Sequence, residues 1–392
     1  MCMVRPMRRK LEFHIIKSYP FSNLNRDEYG TPKNFIFAGH PHGRISSQSL
    51  KRSWREYYKN EFDKDDISVR TRALPGEVRE ALIEAGKDEE FIDLAVDFVK
   101  SLFVSDNKDE DKDKEKKDDK KKKDKSDDDE KKDCITSQII PYSPAEIVLF
   151  KEEFCNLSVE DLKDAKKMKA FKKELTKHLA DLGTPVDIAL FGRMVTSSVM
   201  ESPEASMQVA HAVSTHPIAI EQDIFTAVDD IITNNGAGMF GSGEYDSCAY
   251  YEYCCLDFDL LVKNLGGDEE KAREIVPYLI ETIAYSNPSG KNTTTGTNIL
   301  PSVVMIEKKS VPYNLVNAFA TPTDWKKRKE RETGNGNVYD SVKWLADECD
   351  KMQKKYGIDS ERYWFSCFDI DCDSAQTVES FKELLDKAAA LV

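Results

Sequence analysis

A group of basic and hydroxyl side chains near the N-terminus has the composition of a phosphate-binding site. Lys51, Arg55 and Lys59 are spaced four residues apart, so a helix would align them on one face. Ser46 is a good helix N-cap residue, and Gln48 adds a neutral hydrogen-bond donor. A helix N-terminus presents free N–H groups and a partial positive charge, so this arrangement predicts a cradle for phosphate oxygens. The alternative interpretation is a basic face that is only solvated.

The flanking residues predict the elements that would position these groups. A helix over 46–62 would pack through the face that adjoins the basic stripe. Its apolar positions are Leu50, Trp54, Tyr57 and Tyr58. Residues 20–45 are rich in Pro and Gly and predict a loop with room for a hairpin, and residues 11–19 predict a strand. A strand, a loop and a helix that packs back onto the sheet begin many α+β folds, including the RNA-recognition type.

The distribution of charge is compatible with a polyanionic partner. The chain has 57 Lys or Arg residues, 71 Asp or Glu residues and a net charge of −14, a balance that by itself argues against a nucleic-acid binder. Residues 1–55, however, contain eleven basic and three acidic residues. Such a local reversal allows a polyanion to bind along one strip while the remaining surfaces repel it.

Composition also limits the class of protein. The chain has no apolar run approaching about 18 residues, so we expect no membrane span, and the short apolar run after the basic start argues against a secretory signal. The nine cysteines are odd in number and lack C-x-x-C spacing, so neither a disulfide framework nor a zinc ribbon is predicted. This pattern favours a cytoplasmic protein with reduced thiols.

The rest of the chain predicts alternating elements around one charged segment. Helices are predicted at 77–103, 144–155, 158–182, 268–286, 338–355 and 375–391, and strands at 186–190, 247–257 and 299–306. Residues 106–133 are almost wholly Asp, Glu and Lys, and they predict a disordered insertion because they contain nothing to bury. Residues 290–298, GKNTTTGTN, predict a mobile polar loop in which Lys291 is a candidate RNA contact.

The histidines support an alternative function. His40, His42, His211 and His216 could meet around a metal or act as general acid and base in RNA cleavage. A histidine-dependent endoribonuclease is therefore the alternative to a binding protein. No carboxylate stands at a ligand-like spacing from these histidines, so a metal site is not predicted.

A glycine motif raises a third interpretation. Gly236, Gly238 and Gly241 satisfy the spacing of a dinucleotide-binding fingerprint, which would indicate an oxidoreductase. The segment that follows alternates like a strand, whereas the fingerprint requires a helix. We therefore interpret these glycines as a flexible loop.

Three ordered blocks of the sequence resemble one known family. RISSQSLKR (44–52), VDIALFGRM (186–194), and AHAVSTH with DIFTAVDD (210–216 and 223–230) are similar to blocks at matching positions of the CasC family. CasC is the repeated backbone subunit of the type I-E CRISPR surveillance complex called Cascade. The similarity spans most of the chain and is weak at 60–140 and after about 310. It implies a structural RNA-binding subunit that is not an enzyme and needs no cofactor.

The resemblance also implies roles for individual residues. In the CasC family the methionine that matches Met194 wedges against a displaced RNA base, and the phenylalanine that matches Phe225 sits on a thumb-like projection across the RNA. Arg193 and Thr226 lie beside these two positions. Apolar and aromatic contacts to base faces do not depend on base identity, which suits a protein that must accept any guide sequence.

Together these observations predict an α+β protein with an RNA-recognition-like (ferredoxin-like) core sheet. The core comprises residues 1–62 and 184–392, with a helical insertion at 63–183 and a thumb-like projection at about 195–246. The predicted RNA contacts are Arg26, Lys33, Arg44, Ser46, Gln48, Lys51, Arg55, Arg193, Met194, Phe225, Thr226 and Lys291. The predicted partners are single-stranded CRISPR RNA, further copies of the chain head to tail, the large, small, repeat-cleaving and 5′-end cap subunits of Cascade, and target DNA through the guide.

Overall fold

The chain folds into two compact units. The computed structural model describes residues 9–63, 66–103, 134–228, 231, 237–309, 311–320, 337–358 and 360–392. The first unit, here the sheet unit, comprises Met1–Asn60, Ser206–Lys263 and Asp268–Val392. The second, the helical unit, comprises Glu61–Ala205 and Asn264–Gly267. The charged run predicted to be disordered, 106–133, lies outside the described residues.

The described residues form strands and helices in the following order. The strands are β1 (Lys10–Ser22), β2 (Asn34–Phe37), β3 (His40–Ile45), β4 (Val69–Thr71), β5 (Ile140–Tyr142), β6 (Met207–Val209), β7 (Ala212–Pro217), β8 (Ile220–Val228), β9 (Ala237–Asp257), β10 (Val303–Lys309), β11 (Glu361–Ser366) and β12 (Gln376–Thr377). The helices are α1 (Ser47–Glu61), α2 (Leu74–Glu84), α3 (Glu89–Ser101), α4 (Pro144–Cys155), α5 (Val159–Lys163), α6 (Ala165–Asp181), α7 (Val186–Phe191), α8 (Phe258–Asn264), α9 (Glu269–Tyr285), α10 (Asn292–Thr295), α11 (Asn337–Tyr356) and α12 (Phe381–Ala389).

The predicted α+β class is confirmed by the sheet of the first unit. Its strands follow the order β12-β11-β10-β1-β9-β7-β3-β2, with β6 and β8 paired to β9. The four central strands β10, β1, β9 and β7 are antiparallel neighbours. Taking only the four central strands with helices α1 and α9, the chain order is β1-α1-β7-β9-α9-β10. This is the β-α-β-β-α-β order of ferredoxin-like sheets. Most of the helical unit is inserted in the chain between α1 and β6.

Charged side chains are buried in the middle of this sheet. Glu12 on β1 lies opposite Glu307 on β10, and Lys309 contacts both carboxylates, with Nζ 2.6 Å from Oε1 of Glu307. Arg362 on β11 places Nε 2.8 Å from Oε2 of Glu307, and Nε2 of His14 lies 3.0 Å from Oε1. The two carboxylates are therefore paired with the basic side chains of Lys309 and Arg362, as buried charge requires, although burial lowers the pKa of Lys309 to about 6.

Helix α1 confirms the predicted division into a packing face and a basic face. Leu50, Trp54 and Tyr58 are almost completely buried, whereas Lys51 and Arg55 are half-buried on the adjoining face. Ser46 accepts a hydrogen bond from the backbone N–H of Ser49 through Oγ (3.3 Å), so it caps the helix as its type predicts. The helix therefore holds its basic face in a defined orientation on the sheet.

The helical unit has its own apolar core and local start signals. Its core contains Phe91, Phe150, Phe154, Phe171 and Leu175, among other buried residues. Helix α4 begins at Pro144, as predicted, behind a capping box formed by Ser143 and Glu146. The helix predicted at 158–182 is divided into α5 and α6 at Asp164, because this carboxylate accepts hydrogen bonds from the N–H groups of Lys166 and Lys167.

Three sequence predictions are corrected by the structure. Residues 186–190, predicted as a strand, belong to helix α7. All residues of this helix are buried, polar and apolar alike, so the alternation of apolar residues did not distinguish a strand from a helix. The predicted flexible glycine loop is wrong for Ala237–Gly241, which pairs with β8. The polar loop 290–298 contains helix α10. In the part of the chain that the structure describes, no helix is both long and apolar enough to cross a bilayer.

Candidate nucleic-acid interface

Backbone hydrogen bonds gather several of the predicted contact residues at one part of the sheet unit. The N–H of Lys33 donates to the carbonyl of Asn25 (2.9 Å), and the N–H of Arg44 donates to the carbonyl of Lys33 (2.8 Å). The amide oxygen of Asn25 accepts from the N–H of Ser46 (2.9 Å). Asn25 thus ties the turn that carries Arg26 and Lys33 to strand β3 and to the first residue before α1.

The start of α1 contributes polar groups in two different environments. Ser46 is buried, and its hydroxyl oxygen is engaged as the helix cap. Gln48 is exposed, and its Oε1 accepts from the hydroxyl of Ser47 at 3.4 Å. Lys59, at the far end of the stripe, is paired with Glu56 at 2.9 Å. Lys51 and Arg55, both half-buried, carry the basic face near the helix start.

A cleft of about 710 Å³ opens beside the same helix. Arg26 and Arg52 line it together with three acidic residues, Asp27, Glu28 and Glu56, and with Gly290. Gly290 allows this close packing, because a Cβ there would lie 2.3 Å from the carbonyl oxygen of Leu24. Arg52 is absent from the contacts predicted from sequence; it lies outside the stripe of every fourth residue, and only the folded turn brings Arg26 beside it.

The four histidines considered for catalysis have different surroundings. His42 is buried and its Nδ1 lies 2.6 Å from the carbonyl of Ser214; burial is the main reason why its pKa is lowered, and the neighbouring His216 and His40 add to this. His211 is exposed and lies 3.3 Å from the guanidinium of Arg44. The buried position of His42 places its ring out of reach of an RNA strand at the surface.

Potential metal ligands converge elsewhere. Among the described residues, three ligand atoms approach one another only at Glu12, His14 and Glu307, all buried. The ammonium of Lys309 lies between the two carboxylates. A cation of the protein itself therefore occupies the place that a metal ion would take.

Strands β8 and β9 form a long hairpin with apolar groups on both faces. Phe225 lies opposite Gly241, and Thr226 lies opposite Phe240. Because side chains alternate along a strand, these two pairs face opposite sides. Phe225 is 44 % exposed and Phe240 is 70 % exposed. Phe240 is missing from the contacts predicted from sequence, because the glycines near it suggested a loop. The signal available in the sequence was the aromatic residue itself, which the structure places on a strand paired with β8.

The base of this hairpin is held by aromatic and cationic contacts. The rings of Phe21 and Tyr245 stack with centroids 4.1 Å apart. The ammonium of Lys291 lies 3.0 Å from the Tyr245 hydroxyl and 4.2 Å from the centroid of its ring, a cation–π arrangement. The predicted contact Lys291 is thus placed at the base of the hairpin and fixed there by Tyr245.

Two predicted contacts lie in the helical unit, after α7. The guanidinium of Arg193 is buried, with NH1 2.8 Å from Oε1 of Glu146 and Nε 2.7 Å from the carbonyl of Glu201. Gly192 has a φ of 75°, and a Cβ there would lie 3.0 Å from the backbone nitrogen of Ala205. Arg193 therefore anchors the loop, and its buried ion pair argues against the predicted RNA contact. The next side chain, Met194, is 95 % exposed.

Comparison with known proteins identifies a family and solved assemblies that this chain resembles. The family model described as CT1975-like protein matches residues 11–388. A chain of a "CRISPR RNA-guided surveillance complex, pre-nicking" is 25 % identical, with a TM-score of 0.77 over 97 % of this chain and 99 % of that chain. A chain of a "CRISPR RNA-guided surveillance complex" is 20 % identical, with a TM-score of 0.59 over 97 % and 98 %, and it is similar in fold. No curated protein matches the sequence.

Proposed function

Because the chain belongs to the CT1975-like protein family, we propose that it is an RNA-binding backbone subunit of a CRISPR RNA-guided complex. Several copies assemble head to tail along the spacer part of the CRISPR RNA, protect it and present it for pairing with target DNA. The complex is of type I-E and the chain is its CasC subunit, acting in the cytoplasm beside the large, small, repeat-cleaving and 5′-end cap subunits. It binds the RNA without cutting it.

The observation that carries this proposal is the collection of basic groups at one part of the sheet unit. Arg26 and Lys33 from the N-terminal turn, Arg44 from β3, and Lys51 with Arg55 from α1 are tied together by Asn25 and by the cap of α1. In a chain with a net charge of −14, the binding of a polyanion depends on such a local concentration of cations. The likeness over nearly the whole chain to a subunit of an RNA-guided assembly supports the same conclusion.

The arrangement suits an RNA that is held through its backbone. Cations at the turn and on α1 bind phosphates, which are the same for every sequence. The hairpin of β8 and β9 adds exposed aromatic side chains, and Met194 adds an apolar one; both kinds contact base faces without reading them. The bases between such contacts remain free to pair, as RNA-guided recognition requires.

Fluorescence anisotropy of a labelled single-stranded RNA tests the proposal. The protein and a Lys51→Glu/Arg55→Glu variant are titrated at several salt concentrations and with two unrelated RNA sequences. A Lys354→Glu/Lys355→Glu variant on α11 is the matched control, because it changes the net charge equally at two exposed positions. We expect tight binding that is indifferent to sequence, lost in the first variant and retained in the control. Equal loss in both variants, or binding unaffected by either, contradicts the assignment of α1 as the RNA face.

The same RNA tests the proposal that the protein does not cleave. Labelled CRISPR RNA is incubated with the protein, with and without divalent metal, and its length is followed on a denaturing gel. We expect an intact strand. A product that disappears in the His42→Ala variant would instead support the histidine-dependent endoribonuclease.

A further inference from the structure

Two cationic side chains and one ionisable side chain from separate chain segments lie near one another beside strands β3 and β7. Lys33 precedes β2, Arg44 lies on β3, and His211 immediately precedes β7. The backbone of Lys33 accepts the N–H of Arg44 at 2.8 Å, and strand pairing sets Arg44 opposite Val213. NH1 of Arg44 lies 3.3 Å from Nδ1 of His211. The family resemblance and the basic stripe did not single out His211 as an RNA contact.

The guanidinium of Arg44 has unused capacity to donate hydrogen bonds. Its Nε is shielded from solvent and has no hydrogen-bond acceptor among the described residues. A buried donor without an acceptor is unfavourable, so the site is incomplete as it stands. The guanidinium has five N–H donors in all, and a group with several oxygens, such as a phosphate, can accept from those that reach the surface.

The contact between Arg44 and His211 also defines the protonation state of the imidazole. A guanidinium can only donate hydrogen bonds, so Nδ1 of His211 accepts, and the ring is neutral with its proton on Nε2. Partial burial, then the charges of Arg44 and Lys33, lower the pKa of His211. Both of these neighbouring charges are positive and lower the pKa of the imidazole. An anion bound beside the ring would raise that pKa.

We propose that Lys33, Arg44 and His211 form one phosphate subsite of the RNA path, and that His211 takes up a proton when an RNA phosphate binds there. This inference rests on the proposed RNA-binding function and deepens it. The proton comes from solvent and adds to Nδ1 of His211, and the hydrogen bond from Arg44 to that atom breaks. Arg44 and the imidazolium then both donate to phosphate oxygens, with no covalent bond formed or broken in the RNA.

Proton linkage predicts how RNA affinity depends on pH. The free protein holds His211 neutral near pH 7, and bound phosphate raises its pKa, so the complex binds more protons than the separated partners. Affinity therefore rises as pH falls through this interval, by about three- to tenfold between about pH 8 and pH 6 for one linked proton. His40, His42 and His216 are further imidazoles on β3 and β7, so a variant is needed to isolate His211.

The test compares the protein with a His211→Gln variant, using a single-stranded oligouridine whose bases do not ionise in this interval. Glutamine can still accept a hydrogen bond from Arg44 through its side-chain oxygen but cannot be protonated, so it preserves the positioning of Arg44. His178→Gln is the control, because His178 belongs to the helical unit and is paired with Glu153 at 2.7 Å. Affinity is measured by anisotropy from about pH 6 to pH 8 at constant ionic strength. Calorimetry in two buffers of different ionisation enthalpy gives the protons taken up.

We expect proton uptake and a three- to tenfold pH effect for the wild type and His178→Gln, and less than about a twofold effect with no matching uptake for His211→Gln. Wild-type binding that is equally tight at all pH values overturns the inference and leaves the proposed function standing, as does a pH effect that persists in His211→Gln. Absence of RNA binding at every pH overturns the proposed function, and the inference with it.

Discussion

The ring of Phe225 covers Gly241 on the facing strand of the β8–β9 hairpin. The two residues are directly opposite, and a Cβ added to Gly241 would lie 2.4 Å from the ring. An aromatic ring over a cross-strand glycine shields the backbone and stabilises strand pairing. The glycine therefore determines where Phe225 lies, and Phe225 is the residue that the family resemblance associates with the RNA.

The Gly241→Ala variant tests this relationship. The new methyl group would displace the Phe225 ring, because a side chain moves at less cost than backbone. We expect RNA affinity to fall nearly as far as in Phe225→Ala, by about 1–3 kcal/mol, with little change in the thermal unfolding midpoint. In the double variant the two effects should not add, since both act on the same ring. Additive losses would mean that Gly241 acts by another route.

Phe240 provides an independent prediction for the opposite face of the hairpin. Its ring is 70 % exposed, so Phe240→Ala removes few internal contacts and should leave stability within about 0.5 kcal/mol of wild type. If this face also contacts bases, RNA affinity measured by anisotropy falls by about 1–3 kcal/mol. Tyr356→Ala, at an exposed aromatic position that ends α11, is the control. Unchanged affinity in Phe240→Ala would restrict base contacts to the Phe225 face.

Substitutions at Met194 and Arg193 should have different effects, the first on RNA binding and the second on the stability of the fold. Met194→Ala alters a 95 % exposed side chain, so we expect weaker RNA binding with unchanged chemical denaturation. Arg193→Ala leaves the buried carboxylate of Glu146 without its ion-pair partner, which should lower the free energy of unfolding by about 3–5 kcal/mol. Denaturant titration and anisotropy on both variants check this. The same stability for Arg193→Ala as for wild type would contradict the anchoring role.

Lys309 should be essential to the stability of the central sheet. Lys309→Met removes the ion-pair partner of the buried Glu12 carboxylate and leaves Glu307 paired with Arg362, and we expect a loss of about 3–5 kcal/mol in denaturant unfolding. Lys308→Met is the matched control, because it makes the same change at the neighbouring, half-buried position of β10. Similar losses in both variants would show that the network is not specifically balanced by Lys309.

Local signals in the sequence determined helix α1, which carries two of the proposed phosphate contacts, and the bounds of helix α4. The spacing of Leu50, Trp54 and Tyr58 against Lys51 and Arg55 defined both faces of α1, since residues three and four apart share a helix face. Helix α4 begins where the sequence predicted, because Ser143 and Glu146 accept hydrogen bonds from each other's backbone N–H groups and Pro144 has no N–H to satisfy. Such interactions act within a few residues and need no tertiary context.

Long-range contacts decided the rest. Val186–Phe191 is a helix, although the alternation of its apolar residues predicted a strand. All six residues are buried, so the alternation does not distinguish a buried face from an exposed one. Arg193 and Arg44 are similar in sequence terms, yet Arg193 is paired with a buried carboxylate and Arg44 meets His211 across a strand pair. Phe225 meets Gly241 only because β8 and β9 pair in one register. Each of these three side chains has its partner far away in the chain. Only the tertiary structure therefore determines whether the side chain is neutralised, positioned or left available to RNA.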